Sequence, residues 1–238
     1  MNFTPKIPLR ARAVALAAYV FEMMRENFFF VPVRLFESIT TDLNALKRNL
    51  LVNTGRDVLL LYGYYGTIYD LLPLAHFLSK QGYKVHIPHY DSLASVQKAA
   101  EQVEHYVSEL NLQSFVCVGH SKGGIIAKYI ASTGSDVSRR MTHIITIASP
   151  HKGTILGFLP LPNSQELCVG SPLLSQMVTP EIEKNITAIC NTQDLVIIPS
   201  SSQKVTYGAN RQIDVWGHVR ILSIQETAKA ILDVLEHT

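Results

Sequence analysis

Val116-Cys117-Val118-Gly119-His120-Ser121-Lys122-Gly123-Gly124 is the stretch whose reading decides the fold. It carries G-x-S-x-G, with Gly119, Ser121 and Gly123 in the three fixed places, preceded by an apolar run and followed by an apolar, helical pattern. A serine so placed sits on a strained strand-to-helix turn, where side chains two positions to either side would collide with neighbouring backbone. Glycine at 119 and 123 removes the collision. The turn also sets Ser121 at a helix N-terminus, where unpaired N–H groups and the helix dipole favour negative charge beside the hydroxyl. Five-residue matches of this kind arise by chance, so the weight rests on the strand and helix signals around it.

Those signals extend in both directions. Val58 to Tyr62 reads as a buried strand, and Leu71, Leu72, Leu74, Ala75 and Leu78 give a helix ended by Gly82. Lys84 to Ile87 is the next strand. The helix after it sets Val96, Ala99, Ala100, Val103, Val107 and Leu110 on one face and Lys98, Glu101, Glu104 and Glu109 on the other. Ser114 to Gly119 is the strand that carries the turn, and Gly134 closes the following helix. Further strands are predicted at His143 to Ala148, Ile186 to Cys190 and Gln212 to Trp216, and a last helix starts at Ser223-Ile224-Gln225-Glu226 in capping-box form. Alternation of this kind predicts an α/β fold with a minimal, mostly parallel sheet of about six strands flanked by helices.

Residues 1–55 read differently, as a helical N-terminal extension packed on a catalytic domain over 56–238. Ala13, Leu16, Ala17, Val20, Phe21, Met24 and Phe28 repeat at the spacing of one helix face, which Pro32 ends near Val31. A second helix is predicted over Arg34 to Asn49. Lys6, Arg10 and Arg12 ahead of the apolar segment resemble a signal peptide only superficially, because Glu22, Arg25 and Glu26 follow at once and no small-residue cleavage site comes after. The apolar stripe has two uses, a contact with the protein core or peripheral contact with a membrane surface.

Composition narrows the function classes. The chain has 238 residues, 47% hydrophobic and 17% charged, with a formal net charge of +2. These are the figures of an ordinary globular domain, and no clustered basic footprint marks a nucleic-acid partner. Three cysteines, two of them in strand-like runs, argue against a disulfide framework and for a reducing, cytoplasmic compartment, with membrane association left open. The nine histidines show no H-x-x-x-H spacing, so neither a metal nor an organic cofactor is called for.

A serine hydroxyl is a weak nucleophile. It needs a base within hydrogen-bond reach, and the base needs a third group to hold its tautomer. Following a turn of this type the chain order is Ser, then Asp or Glu, then His. His237 is penultimate and His151 belongs to another motif, whereas His218 follows the last strand in W-G-H-V-R. Among the acids, Asp136 stands at the wrong end of the sheet, Asp214 is expected inside the last strand, and Glu166, Glu181 and Glu183 fall in a connecting region. Asp194 comes directly after a strand's C-terminal end, where sites of α/β sheets assemble. Ser121, Asp194 and His218 are therefore the candidate catalytic residues.

With these residues in place, the sequence from about 57 to 238 resembles the serine lipases and esterases of the α/β-hydrolase fold. Four landmarks in order carry the resemblance: G-H-S-K-G-G around Ser121, A-S-P-H-K-G-T from Ala148 to Thr154, the Asp194 segment with Pro199, and G-H at His218. The resemblance implies acyl transfer to water through an acyl-serine intermediate, and a structural role for His151. Many such lipases carry His-Gly after the first strand, where this chain has Tyr62-Gly63. Because the oxyanion donor is a backbone N–H, Tyr64 can still supply it together with Lys122. The leading antiparallel hairpin common in the family is also missing, its place taken by the helical extension.

Relatives insert a lid between the fourth strand and the acid. Here 155–180 would be a small cap, with Ile155, Leu156, Phe158, Leu159 and Leu161 crowded beside Pro160 and Pro162. Leu156, Phe158 and Leu159, with Tyr65 of the first loop, are candidate substrate contacts for a small-molecule or lipid ester. An acyltransferase or thioesterase would use the same three residues, and a non-catalytic binding protein could keep the fold.

Overall fold

The computed structural model describes residues 53–238. The helices expected at Ala13 to Phe28 and Arg34 to Asn49, and the core or membrane contact of that extension, lie outside the described residues.

Six strands form one sheet: β1 (Asp57–Leu61), β2 (Lys84–His86), β3 (Phe115–His120), β4 (Met141–Ile147), β5 (Ile186–Asn191) and β6 (Ala209–Ile213). The order is β2-β1-β3-β4-β5-β6 and every neighbouring pair is parallel. Parallel strands need crossovers, and helices supply most of them: α1 (Ile68–Lys80), α2 (Val96–Glu109), α3 (Lys122–Thr133) with the short α4 (Asp136–Arg140), then α5 (Pro172–Gln176) and α6 (Pro180–Glu183). α7 (Gln225–His237) closes the chain against α1.

Burial explains why the central strands read as unbroken apolar runs. β3 and β5 are buried at every position, since helices cover both faces of the sheet. Each large aliphatic side chain removed from water there contributes about 1.5–3 kcal/mol. At the edge, β6 is polar and mostly exposed, which blunts pairing with another chain. α2 buries Val96, Ala99, Ala100, Val103 and Val107 as its spacing predicts, but Leu110, expected on the same face, lies just past the helix end and is exposed, and Gly134 ends α3 in the left-handed conformation at φ 66°.

Two expectations are corrected. The last strand is Ala209–Ile213 rather than Gln212 to Trp216, so Asp214 stands just past its end; the polar residues of an edge strand hid its start from an apolar-run criterion. Ser223 does not cap α7. Ile224 is the residue before the helix, and the Ser223 hydroxyl donates to the Arg220 carbonyl at 3.0 Å in a preceding 3-10 turn (Arg220–Leu222).

Strand order matters for function. The chain runs from β1 outward to β2, returns across β1 to β3, and from there proceeds the other way. The loops leaving the carboxyl ends of β1 and β3 therefore diverge and open a crevice, which is where ligands bind in such sheets. Ser121 follows β3 directly, and Tyr64 lies in the loop after β1.

Candidate active site

Ser121 occupies the turn between β3 and α3 at φ 53°, ψ −123°, a region that L residues visit only under constraint. Its N–H donates to the Ile147 carbonyl of β4 at 2.8 Å, which holds the strained turn in place. The glycines do what the sequence reading requires. A Cβ on Gly119 would meet the Gly124 nitrogen at 2.4 Å, and one on Gly123 would meet the Leu61 carbonyl oxygen at 2.4 Å and that of Tyr62 at 2.6 Å. Gly124 faces Ser149 of the A-S-P-H-K-G-T stretch, whose Oγ would lie 2.1 Å from an added Cβ.

His218 and Asp194 meet across two loops. His218 Nδ1 is 2.8 Å from Asp194 Oδ2, and both residues are buried. The other carboxylate oxygen, Oδ1, accepts from the Val196 N–H at 2.8 Å and the Ile197 N–H at 3.0 Å. Two backbone donors fix the carboxylate from behind, while Oδ2 faces the imidazole and also accepts from Gln203 Nε2 at 3.5 Å. On the far side of His218 lies His120, the residue before Ser121. Its Nε2–H donates to the His218 carbonyl at 3.1 Å, and the two rings stand 4.8 Å apart. The three sequence-derived candidates thus converge on the carboxyl end of the sheet, with His218 between the residue preceding Ser121 and the carboxylate of Asp194.

The loop after β1 closes this crevice. Gly63 lies against the turn: a Cβ there would come within 2.9 Å of the Ser121 Cβ. The Gly66 N–H donates to the Gly63 carbonyl at 3.0 Å, making a tight turn with Tyr65 at φ 56°. The Tyr64 hydroxyl donates to the Pro162 carbonyl, tying this loop to the 155–180 segment. Lys122 is the first residue of α3, where N–H groups lack intrahelical acceptors.

Comparison with known proteins adds the frame. Residues 90–159 match the PGAP1-like alpha/beta domain, a span that includes the Ser121 turn and the A-S-P-H-K-G-T stretch. No curated protein matches the sequence. Among solved structures, an alpha/beta hydrolase enzyme from the metagenome of sediments of the lagoon of Mar Chica, Morocco, superposes with a TM-score of 0.61 at 17% identity, over 78% of this chain and 92% of that one. A membrane phospholipase A described as a bacterial virulence factor gives 0.58 at 17%, over 96% of this chain and 100% of that one. A putative lipase from Acinetobacter baumannii AYE gives 0.55 at 18%, over 77% and 84%. The chain has the α/β-hydrolase fold.

Within this α/β-hydrolase fold the remaining candidates separate. Leu156 and Leu159 are buried in an apolar cluster with Ile155, Leu161 and Val196, two residues beyond Asp194; Phe158 is half-buried. The 155–180 segment has its own local structure, a 3-10 turn at Ile155–Phe158, a second at Ser164–Leu167, and the short α5. Thr154 stitches it to the acid loop, its hydroxyl donating to the Val196 carbonyl at 2.7 Å and accepting from the Ile198 N–H at 3.1 Å. Tyr65 is half exposed and edge-on to Tyr64 at 5.0 Å between ring centres. His151 is buried away from the Asp194–His218 pair, with Nε2 2.8 Å from Thr146 Oγ1. Burial pushes its pKa well below the ordinary value, helped by Lys128 and Lys152. Asp214 faces outward and accepts from the Thr192 hydroxyl.

Several supporting residues escaped the sequence reading. Asn191, the last residue of β5, donates from Nδ2 to the Gly217 carbonyl at 2.7 Å, next to His218, and accepts from the Val215 N–H at 3.3 Å. Gln203 exchanges hydrogen bonds with the Asn191 backbone at 2.6 and 2.9 Å. Lys128, two turns into α3, forms a fully buried ion pair with Glu183 at 2.5 Å, and Glu183 also accepts the N–H groups of Thr206 and Tyr207. Nothing local in sequence marks these, because each partner is 12 to 55 residues away. Among the described residues no His/Cys/Asp/Glu cluster could hold a metal ion, and no helix is long and apolar enough to cross a membrane.

Proposed function

We propose that the protein is a serine hydrolase that cleaves carboxylic esters through an acyl-serine intermediate. The observation that carries this reading is the buried His218–Asp194 hydrogen bond at 2.8 Å, braced by two backbone N–H groups, beside a serine held at positive φ. Ser121 Oγ attacks the ester carbonyl carbon as His218 Nε2 takes its proton. Asp194 keeps the other ring proton on Nδ1 and stabilises the imidazolium that forms. The carbonyl oxygen becomes an oxyanion and receives the backbone N–H groups of Tyr64 and Lys122. His218 then returns the proton to the leaving alkoxide, the alcohol departs, and water activated by the same imidazole hydrolyses the acyl-serine.

The substrate reading is a lipid or small-molecule ester with an apolar acyl chain. Leu156, Leu159 and Val196 offer an apolar wall beside the acid loop. A cavity of about 670 Å³ lies between the loops after β1 and β2, with Tyr62 and Gly66 in its wall, but Ser121, Asp194 and His218 do not line it. The likeness to a phospholipase and a lipase agrees with this class, and peripheral contact with a membrane surface fits the same substrate.

A chromogenic ester series from acetate to octanoate, run with wild type, Ser121→Ala and Leu156→Ser, tests it. Wild type should turn over esters and Ser121→Ala should not. Leu156→Ser should lose far more activity on octanoate than on acetate, since each acyl methylene removed from water contributes about 0.8 kcal/mol. Turnover unchanged in Ser121→Ala, or none in wild type on esters of any length, would overturn the reading.

A further inference from the structure

Tyr62 stands where a histidine commonly precedes the glycine of the oxyanion loop, and its surroundings are unusual. Its ring stacks on Tyr90 at 4.1 Å between centres and 4° between planes. The Tyr62 hydroxyl donates to the Tyr90 carbonyl at 2.5 Å and accepts from the Tyr90 N–H at 2.7 Å. The Tyr90 hydroxyl returns the arrangement by donating to the Tyr62 carbonyl at 2.5 Å. Both rings are buried, at 2% and 3% exposure. Each tyrosine thus uses its side chain to hold the other's backbone.

The same loop has a second attachment. Two residues beyond Tyr90, the Ser92 carbonyl accepts from Lys122 Nζ at 3.0 Å, and the Ala94 carbonyl accepts from it as well. The Lys122 side chain is fully buried, and its ammonium stands 5.2 Å from the centre of the Tyr64 ring, within cation–π range. The segment Tyr90–Ala94 therefore grips Tyr62, two residues before one proposed oxyanion donor, and Lys122, which is the other.

We propose that the loop after β2 is an oxyanion brace, in which Tyr90 and the carbonyls of Ser92 and Ala94 set the distance between the Tyr64 and Lys122 backbone N–H groups. The proposal rests on the hydrolase reading of Ser121. Tyr62, Tyr90 and the Lys122 side chain are positioning residues in it, acting through backbone rather than touching substrate. The physical need is plain: two donors serve a tetrahedral oxyanion only when both lie at hydrogen-bond distance from one point, and they come from segments that follow different strands, β1 and β3. A reciprocal pair of hydrogen bonds on a buried stack is stiff, because breaking either leaves a buried polar group unpaired. Burial also keeps the Tyr90 phenol well above its ordinary pKa, so it remains a donor into alkaline solution.

The experiment is a comparison of wild type with Tyr90→Phe, Lys122→Met and a control, Tyr106→Phe, by ester kinetics and by amide hydrogen exchange. Tyr90→Phe keeps the stacked ring and removes only the hydroxyl that holds the Tyr62 carbonyl. We expect kcat to fall about 10- to 100-fold in Tyr90→Phe and in Lys122→Met, with KM within about two-fold, because only transition-state contacts are misplaced. Exchange in the peptide covering 61–67 should speed up in Tyr90→Phe while the peptides of β4 and β5 stay as in wild type. Tyr106→Phe, on α2 against His86, should match wild type in both readouts. A folded Tyr90→Phe with unchanged kcat, or one that loses through KM alone, overturns the brace. If wild type turns over no ester, the hydrolase reading fails and the oxyanion role falls with it, while exchange still judges the hold of Tyr90 on the loop after β1: unchanged exchange at 61–67 overturns that hold, faster exchange upholds it.

Discussion

Replacing Gly123 with alanine tests how tightly the nucleophile turn is built against β1. The added Cβ would sit 2.4 Å from the Leu61 carbonyl oxygen, and ordinary contact begins near 3.4 Å, so the start of α3 and the end of β1 must part by about 1 Å. Overpacking of that size costs about 1–3 kcal/mol of stability. In a domain of this size each kcal/mol lowers Tm by about 2–4 °C. The carbonyls struck belong to Leu61 and Tyr62, which lead straight into Gly63 and Tyr64. A displacement of about 1 Å at the proposed oxyanion loop should therefore lower kcat by about 100-fold beyond the stability effect. The control is Gly134→Ala, where φ is 66° but nothing lies within 4 Å of the new Cβ. There the cost is backbone strain alone, about 1–2 kcal/mol, paid far from the crevice. Thermal melts and ester kinetics on both variants give the comparison: similar losses of Tm, but a collapse of kcat only in Gly123→Ala. A Gly123→Ala enzyme whose kcat stays within about three-fold of Gly134→Ala would refute the reasoning.

Three further outcomes are expected. Asp194→Asn should keep the fold and lose about four orders of magnitude in kcat, because an amide favours the wrong tautomer of His218, whereas Asp214→Asn should change kcat little; the reverse pattern would reassign the acid. Lys128→Met should cost about 3–5 kcal/mol in urea unfolding by leaving the Glu183 carboxylate buried without its counter-charge, and Lys128→Met combined with Glu183→Gln should recover part of that loss. Stability should fall as pH drops below about 6.5, by up to about 1.4 kcal/mol per pH unit per group, because buried His151, and His143 with it, resist the proton that the unfolded chain accepts. The sign follows from pKa values depressed in the folded state, so this contribution is full above the unfolded pKa and is lost on acidification, and His151→Asn should flatten the profile.

The parts of the fold legible in sequence are those with local causes. β1, β3 and β5 are buried on both faces and so read as apolar runs, while α2 lies on the sheet and shows its period in side chains. The Ser121 turn was legible because steric crowding admits only glycine at 119 and 123. Asp194 and His218 were candidates by order along the chain, since each follows a strand end, and the structure brings their side chains together. What sequence could not show was set by distant pairing. β6 is polar because it is an edge, so its position had to come from its register with β5. Ser223 looked like a cap, but the 3-10 turn before it takes its hydroxyl. Tyr62 was visible as a departure from the histidine that many lipases of this fold carry, yet its surroundings depended on Tyr90, 28 residues away. Lys122 and Lys128 carry charges that nothing local in sequence marks for burial. Both are fully buried, on Ser92 and Ala94 in one case and on Glu183 in the other.

The central claim is that Ser121 is a nucleophile activated by His218. Its most direct test is covalent labelling of the full chain with a fluorophosphonate probe, followed by peptide mapping of the modified residue. An activated serine reacts with such a probe where ordinary serines do not. The account predicts one equivalent of label on Ser121, labelling slowed by orders of magnitude in folded His218→Gln, and none in Ser121→Ala. Label on a different serine, or a Ser121 that stays unmodified in the folded wild-type protein, would contradict it.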